Sequence, residues 1–406
     1  MRTLVLNGGS SSFKCWFHTL SDDALSGDAP QPTWQARIEW DQRSGLAKIR
    51  FQVEGTTTER EIPVQAPVDA LPPVLEALWT GETKVISGAR EIDIVGHRIV
   101  HGGIAHRNSE LLTPEVRDAI SKQVEFAPAH NRFELEAIAT IDQVVGPAVR
   151  QVAVFDTGFH ATLPAAAYIY PGPYGWLQEG VRRFGFHGIS HQYASRRAAQ
   201  LVGSDPASLR MITCHLGSGA SLAAIRNGKS VDTTMGFTPL EGLMMGTRSG
   251  SIDPGIIIYL LRHAGYSADQ LDDILNKHSG LRGVSGISDD MRDIQEAIAA
   301  GNERAKLALD MYAHRLCREI GGMLVTLGGL DVLVFTGGVG ENSGPIREAA
   351  CNQLAFLGLK LDAAKNAGSP VDENIAARES AIPVLVIHAE EDWEIARECY
   401  RLAGKG

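Results

Sequence analysis

Two arginines, a few strand-end acids and three glycine-rich turns carry the chemistry legible in this sequence. Arg98 lies in His97-Arg98-Ile99-Val100-His101-Gly102-Gly103, the end of an otherwise apolar run from Asp93 to Val100 that reads as a buried strand. A guanidinium there needs an anion, because an unpaired buried charge costs on the order of several kcal/mol. That anion is either a structural ion-pair partner or a ligand. Arg248 lies in Gly246-Thr247-Arg248-Ser249-Gly250, between residues too small to shield it. The planar fork of arginine matches carboxylate and phosphate oxygens.

The glycine turns supply the complementary feature, backbone N–H groups open to an anion. Leu4 to Phe17 reads as strand, turn, strand around Asn7-Gly8-Gly9-Ser10-Ser11-Ser12, with Lys14 just beyond. It is not a Walker A loop, since the GxxxxGK[ST] spacing is absent. Met211 to Ile225 repeats the pattern around His215-Leu216-Gly217-Ser218-Gly219-Ala220-Ser221. A third unit runs from a strand at Val332 to Phe335 into Thr336-Gly337-Gly338-Val339-Gly340-Glu341-Asn342, with a helix expected over Pro345 to Phe356. Taken alone, each turn is equally well a plain hairpin or surface loop. Two similar halves about two hundred residues apart suggest an internal duplication folded around one nucleotide. With two arginines and strand-end acids, the set points to phosphoryl transfer, where a protein chiefly positions groups and neutralises charge.

The acids lie where such folds place them. Gln151 to Phe155 reads as a strand that opens a second domain and ends in Asp156-Thr157-Gly158. Glu390-Glu391-Asp392 begins a terminal helix running to about Leu402, and Ser288-Asp289-Asp290-Met291-Arg292 reads as a capped helix start. Between these motifs, strands are expected at Thr33 to Trp40, Ala47 to Val53, Thr58 to Ile62 and Pro383 to Ile387. Helices are expected over Val68 to Trp79, Pro114 to Glu125, Arg132 to Val145 and Ser190 to Leu201, with Ala127 to Asn131 as a link between the second and third. The longest, Asn302 to Leu327, places Leu307, Met311, Leu316, Ile320 and Leu324 near one core-facing stripe.

At 406 residues the chain has room for two or three domains, and 44% hydrophobic with 21% charged residues is an ordinary globular composition. A formal net charge of -10 argues against a nucleic-acid partner, and no apolar run approaches the ~20 residues that span a bilayer. Five widely spaced cysteines with no CxxC pair fit a reducing cytoplasm and need no catalytic role.

LNGGSSSFK, HRIVHGG, VFDTGFHATLP, RFGFHGISH, CHLGSGASL, DTTMGFTPLEGLMMGTRSGSIDP, FTGGVGENS and EEDWEIAR together resemble the acetate kinase family of short-chain carboxylate kinases, over nearly the whole chain. That family belongs to the acetate and sugar kinase, Hsp70 and actin superfamily. The resemblance implies an α/β protein of two duplicated ribonuclease-H-like (actin-like ATPase) domains, 1–150 with 386–406 and 151–385, with the active site in the cleft between them. It further implies a homodimer that transfers phosphate reversibly between ATP and acetate, giving ADP and acetyl phosphate without a covalent enzyme intermediate. By this resemblance Arg98 and Arg248 flank the carboxylate and the transferring phosphoryl group, His187 binds phosphoryl oxygens, and His130 and His215 support it. Asn7, Asp156 and Glu391 position Mg2+, with Mn2+ as an alternative. Ser10, Ser12 and Lys14 form the first phosphate hairpin, and Gly217, Ser218 and Gly219 the second. Asp290, Met291, Arg292, Gly338, Val339, Gly340 and Asn342 hold the adenosine. Val100, Ala129, Phe186 and Pro239 line the pocket for the substrate's methyl group.

Two positions depart from the family pattern. Ser218 stands where asparagine is usual, which bears on the phosphoryl donor. Ala129 stands where leucine is usual, which enlarges the acyl pocket and favours propionate by up to ~1 kcal/mol per buried methylene. The alternatives are therefore a propionate or butyrate kinase of the same family and, in a different class, an Hsp70-like or actin-like ATPase, which leaves Arg98 and Arg248 without a carboxylate.

Overall fold

The computed structural model describes residues 1–8, 12–21, 25, 28–41, 45–125 and 128–404. The chain forms two compact units, one from Met1–Gly158 with Glu390–Gly406 and the other from Phe159–Ala389.

The first unit is built on an eight-stranded sheet in the order β5-β4-β3-β2-β1-β6-β8-β7. Its strands are β1 (Arg2–Gly8), β2 (Ser12–Thr19), β3 (Trp34–Asp41), β4 (Leu46–Val53), β5 (Thr56–Pro63), β6 (Ile94–Ile99), β7 (Glu110–Leu111) and β8 (Arg150–Phe155). β1 pairs antiparallel with β2 and parallel with β6, which in turn runs parallel to β8. β1 is buried from Thr3 to Gly8, as expected of a central strand covered on both faces. β4 alternates exposed and buried residues along most of its length, and the edge strand β5 carries Thr, Glu and Arg that discourage further pairing.

Helix α1 (Pro114–Lys122) starts at Thr113, whose hydroxyl caps it, and is followed by α2 (Pro128–Val144). The C-terminal helix Glu391–Ala403 returns to pack on β1, β6 and β8. Gly96 on β6 permits this approach: a Cβ there would lie 2.6 Å from both Cys399 Sγ and Ile395 Cγ2.

The second unit has a six-stranded sheet, β11-β10-β9-β12-β14-β13. The strands are β9 (Arg210–Leu216), β10 (Ala220–Arg226), β11 (Lys229–Thr233), β12 (Val332–Thr336), β13 (Glu373–Asn374) and β14 (Val384–Val386). β9 pairs antiparallel with β10 and parallel with β12, and β12 runs parallel to β14. The run β3-β2-β1-β6-β8 in the first unit and the run β11-β10-β9-β12-β14 in the second thus share one order and one set of directions. The chain is an α/β protein of two similarly organised units. Around the second sheet lie α3 (Gly188–Leu201), α4 (Pro254–His263), α5 (Ala268–Lys277), α6 (Gly280–Ser285), α7 (Met291–Ala299), α8 (Glu303–Leu327), α9 (Gly337–Asn342) and α10 (Gly344–Gln353). All five cysteines are free of disulfides, four of them buried.

Four sequence expectations are corrected. Gln151–Phe155 closes the first unit instead of opening the second, because β8 completes a parallel pair with β6. Ala129 to Asn131 belong to the first turn of α2, where Pro128 occupies a position that needs no N–H. The glycine stretch after β12 is itself the short helix α9, and α10 ends at Gln353. On α8 the buried stripe is Ala305, Ala308, Tyr312, Leu316, Ile320, Met323 and Leu327, which leaves Leu307 53% exposed.

Candidate active site

In the first unit the predicted residues gather at the carboxyl ends of parallel strands, where ligands bind in open α/β sheets. Asn7 sits near the end of β1, Arg98 near the end of β6 and Asp156 just past β8, while Glu391 begins the C-terminal helix. Arg98 Nη2 donates to Asp156 Oδ2 at 2.6 Å, and its Nη1 donates to Asn7 Oδ1 at 3.2 Å and to the Gly8 carbonyl at 3.3 Å. Asn7 Nδ2 in turn donates to Glu391 Oε2 at 2.9 Å. The four side chains form one hydrogen-bonded chain. Burial works against the charge on Arg98, but the carboxylates of Asp156 and Glu391 more than offset it, and its pKa rises above the ordinary arginine value.

Beside this chain, the buried Glu134 accepts the Val100 N–H at 3.1 Å. Burial pushes the Glu134 carboxyl up to about 8, against the pull of Arg98 and of the Val100 N–H. Nothing in the sequence singles out Glu134. Lys14 pairs in register with Asn7 across the hairpin, and its Nζ lies 5.8 Å from the Trp16 ring centroid. Ser12 begins β2. Ser10 lies outside the described residues, as do the side chains of Ala129 and His130.

The donor set fits Mg2+. Asp156 is 1% exposed and its Oδ1 is buried without a hydrogen-bond partner among the described residues, so one carboxylate oxygen is left for a cation while Oδ2 engages Arg98. No group of three or more His, Cys, Asp or Glu able to hold a metal occurs among the described residues. Two carboxylates and an amide suit a small hard ion that keeps several waters.

In the second unit a pocket of about 500 Å³ is lined by Gly217, Ser218, Asp289, Asp290, Met291, Arg292, Gln295, Gly338, Val339, Asn342 and Ser343. It joins the β9–β10 turn, the start of α7 and the helix α9. Asp290 caps α7 by accepting the Arg292 N–H at 2.8 Å and also pairs with the Arg292 guanidinium, so it is at once cap and pocket wall. Gln295 and Ser343, hydrogen-bonded to each other at 3.0 Å, and Asp289, bound to Arg282, are lining residues that sequence reasoning missed. Gly340, expected to hold the adenosine, is not among the residues lining the pocket; a Cβ there would lie 3.5–3.7 Å from Phe335, Cys214 and Leu216. Gly337 is required at its turn: its φ is +77° and a Cβ would lie 3.0–3.1 Å from the Leu216 backbone.

Next to this pocket, His187 and Arg248 converge. A Cβ on Gly219 would lie 3.2 Å from His187 Nε2 and 3.4 Å from Arg248 Nη2, so glycine keeps open a small space that both side chains reach. Arg248 Nη1 donates to the Pro239 carbonyl at 2.8 Å, and the Gly246 N–H bonds the Ser218 carbonyl at 3.3 Å, tying the arginine segment to the hairpin turn. His187 holds a left-handed conformation, φ 56° and ψ 25°, at the start of α3, which costs a non-glycine residue about 1–2 kcal/mol. Its ring stacks on His215, centroids 4.3 Å apart. His215 Nδ1 is bonded to Ser190 Oγ at 2.8 Å, and the neighbouring Phe186 is buried, its carbonyl accepting from His160 Nε2.

The Acetokinase family matches the chain over residues 2–397. The chain belongs to the acetokinase family. It is an enzyme, a phosphotransferase of that family. It is 57% identical over 403 residues to the acetate kinase of Nostoc punctiforme and 58% identical over 409 residues to that of Trichormus variabilis, covering 99% and 100% of each chain compared. Among solved structures it resembles Porphyromonas gingivalis acetate kinase (TM-score 0.89, 40% identity) and a propionate kinase from Francisella tularensis (TM-score 0.89, 35% identity), with 99% of each chain covered.

Proposed function

We propose that this enzyme catalyses the reversible ATP-dependent phosphorylation of acetate to acetyl phosphate, by in-line attack of a carboxylate oxygen on the γ-phosphorus of ATP. The observation that carries the reading is the convergence of His187 Nε2 and Arg248 Nη2 over Gly219, at the edge of a pocket of nucleotide size. A guanidinium and an imidazole nitrogen beside one small space suit the charge that spreads over phosphoryl oxygens during transfer. No nucleophile or base pair is needed, because acetate is already ionised at neutral pH.

In this reading Gly217, Ser218, Gly338, Val339 and Asn342 hold the nucleotide, Arg248 and His187 hold the transferring group, and Arg98 orients the carboxylate while pinned by Asp156 and Asn7. Asp156 and Glu391 hold Mg2+, which neutralises phosphate charge when bound.

A second acceptor, propionate, is favoured by Ala129 and is compatible with the likeness to a solved propionate kinase, whose TM-score of 0.89 equals that of the acetate kinase at a lower identity, 35% against 40%. We also read the protein as a homodimer, on the evidence of α4: its sequence PGIIIYLLRH is almost wholly apolar, yet none of its residues is buried. Five free cysteines suit the cytoplasm. Hydroxamate trapping of the acyl phosphate, run with ATP and two- to four-carbon acids, tests the activity; ATP hydrolysis with no hydroxamate from any acid would refute it.

A further inference from the structure

Behind His187 lies a short relay that the reaction as described does not use. His187 Nδ1 is 2.8 Å from Ser221 Oγ, and the same oxygen is 2.8 Å from His191 Nε2. His191 Nδ1 is 2.7 Å from Thr213 Oγ1. Thr213, Ser221 and His191 are all fully buried. The geometry follows from the elements: His187 and His191 are four residues apart at the start of α3, while Thr213 and Ser221 stand on the paired strands β9 and β10.

Counting hydrogens limits what this chain can do. Burial drives the His191 pKa well below its ordinary value, so its ring is neutral, with one N–H and one lone pair. Ser221 has one hydrogen and two lone pairs, so either it donates to His187 Nδ1 while accepting from His191 Nε2, or it accepts from His187 Nδ1, whatever its bond to His191. In the first arrangement His191 Nε2–H donates to Ser221, Ser221 donates to His187 Nδ1, and the proton of a neutral His187 sits on Nε2. In the second, His187 Nδ1–H donates to Ser221. His187 then either turns a lone pair toward the space over Gly219 or takes a second proton and carries a charge beside Arg248. A lone pair repels phosphoryl oxygens, and two cations around one small space repel each other. Only the first arrangement presents a neutral N–H donor beside the guanidinium.

We propose that Ser221 and His191 are positioning residues that hold His187 as its Nε2–H tautomer, so that it donates a hydrogen bond to the transferring phosphoryl group. This rests on the reading of His187 as a phosphoryl ligand. The stacked His215 keeps the ring from turning, and Ser221 decides which nitrogen carries the proton.

Long-range proton–nitrogen NMR on full-length protein labelled with 15N-histidine, at a pH where the imidazoles are neutral, reads the tautomer directly; His187→Asn identifies its signals. The expected result is a protonated Nε2 and a bare Nδ1 on His187. Ser221→Ala should give His187 a tautomer mixture and lower kcat by about tenfold or more, with KM for ATP and carboxylate within about twofold. His191→Gln, whose amide can still donate to Ser221, should keep more of kcat than His191→Ala. A wild-type His187 protonated on Nδ1, or a folded Ser221→Ala enzyme with kcat within twofold of wild type, overturns the proposal. Should Ser221→Ala fail to fold, the wild-type spectrum alone decides. A protein with the expected tautomer that forms no acyl phosphate would instead overturn the kinase reading.

Discussion

Arg98 donates to Asp156 Oδ2 at 2.6 Å, and the other oxygen of that buried carboxylate has no hydrogen-bond partner among the described residues. The pair therefore fixes a cation at the end of β6 and leaves one anionic oxygen of Asp156 unengaged, the place that the proposed Mg2+ would take. Arg98→Ala should lower turnover on the order of a thousandfold or more, the scale seen when a charge-stabilising arginine is lost from phosphoryl transfer. It should also destabilise the fold by roughly 3 kcal/mol, because Asp156 stays buried without its partner. Asp156→Asn keeps the shape and should raise the Mg2+ concentration needed for half-maximal rate. Chelation should stop the wild-type reaction and added Mg2+ restore it. Steady-state kinetics and urea melts check both; an Arg98→Ala enzyme within tenfold of wild type would remove the arginine from the chemistry.

Ala129 sets the acyl-chain expectation. If the missing leucine carbons leave room, Ala129→Leu should shift the kcat/KM ratio of propionate to acetate toward acetate by several-fold, about 1 kcal/mol per methylene excluded. An unchanged ratio in the hydroxamate assay would mean that Ala129 does not bound the acyl pocket.

Ser218 lines the pocket of the second unit, where, with the proposed nucleotide bound, a longer amide would add a donor toward phosphate. Ser218→Asn should lower KM for ATP a few-fold and leave KM for acetate unchanged. A rise in the ATP KM would show that the pocket is fitted to serine.

Where the candidate residues sit in the fold was largely legible, because the signals that mark them are local. An arginine in an apolar strand, a glycine turn after a strand and an acid at a strand's end each announce themselves within ten residues, and Arg98, Gly217 and Asp156 occupy those places in the fold. What stayed hidden depends on distant partners. The end of the first unit is set by β8 pairing with β6, a strand some fifty residues earlier, so Gln151–Phe155 looked like a beginning. Ser221 reads as one more small residue in a turn until α3 sets two imidazoles against it. On α8, several spacings of leucines were compatible with a stripe, and only packing chose Ala308 and Tyr312 over Leu307.

The exposed face of α4 predicts assembly. Ile256, Ile258, Tyr259 and Leu261 are 40–62% exposed, and a face this apolar is what self-association covers. Light scattering should give about twice the chain mass of 43.7 kDa. Ile258→Asp together with Tyr259→Asp should give a monomer, and a wild-type monomer at micromolar concentration would end the proposal.

Buried histidines make the fold sensitive to acid: burial lowers His97, His101, His160 and His191, and the first and third are the ones to test. His97, hydrogen-bonded to Gln151, is pushed down to about 4, mainly by burial, with Gln151 opposing. His160 is likewise lowered to about 4 by burial, against its bond to the Phe186 carbonyl and with help from Arg183. Each imidazole stays neutral in the fold at a pH where the unfolded chain has already taken up a proton. Their contribution is full above the ordinary value near 6.5 and is lost as pH falls from there toward 4. At about 1.36 kcal/mol per pH unit, each should cost roughly 2 kcal/mol by pH 5. Urea midpoints measured from pH 8 to pH 4.5 should therefore drop through this window. In a His97→Gln, His160→Gln double variant, which keeps amide hydrogen-bonding groups but cannot titrate, the slope should flatten; equal slopes in the two proteins would mean that other groups, such as the carboxylates, drive the loss.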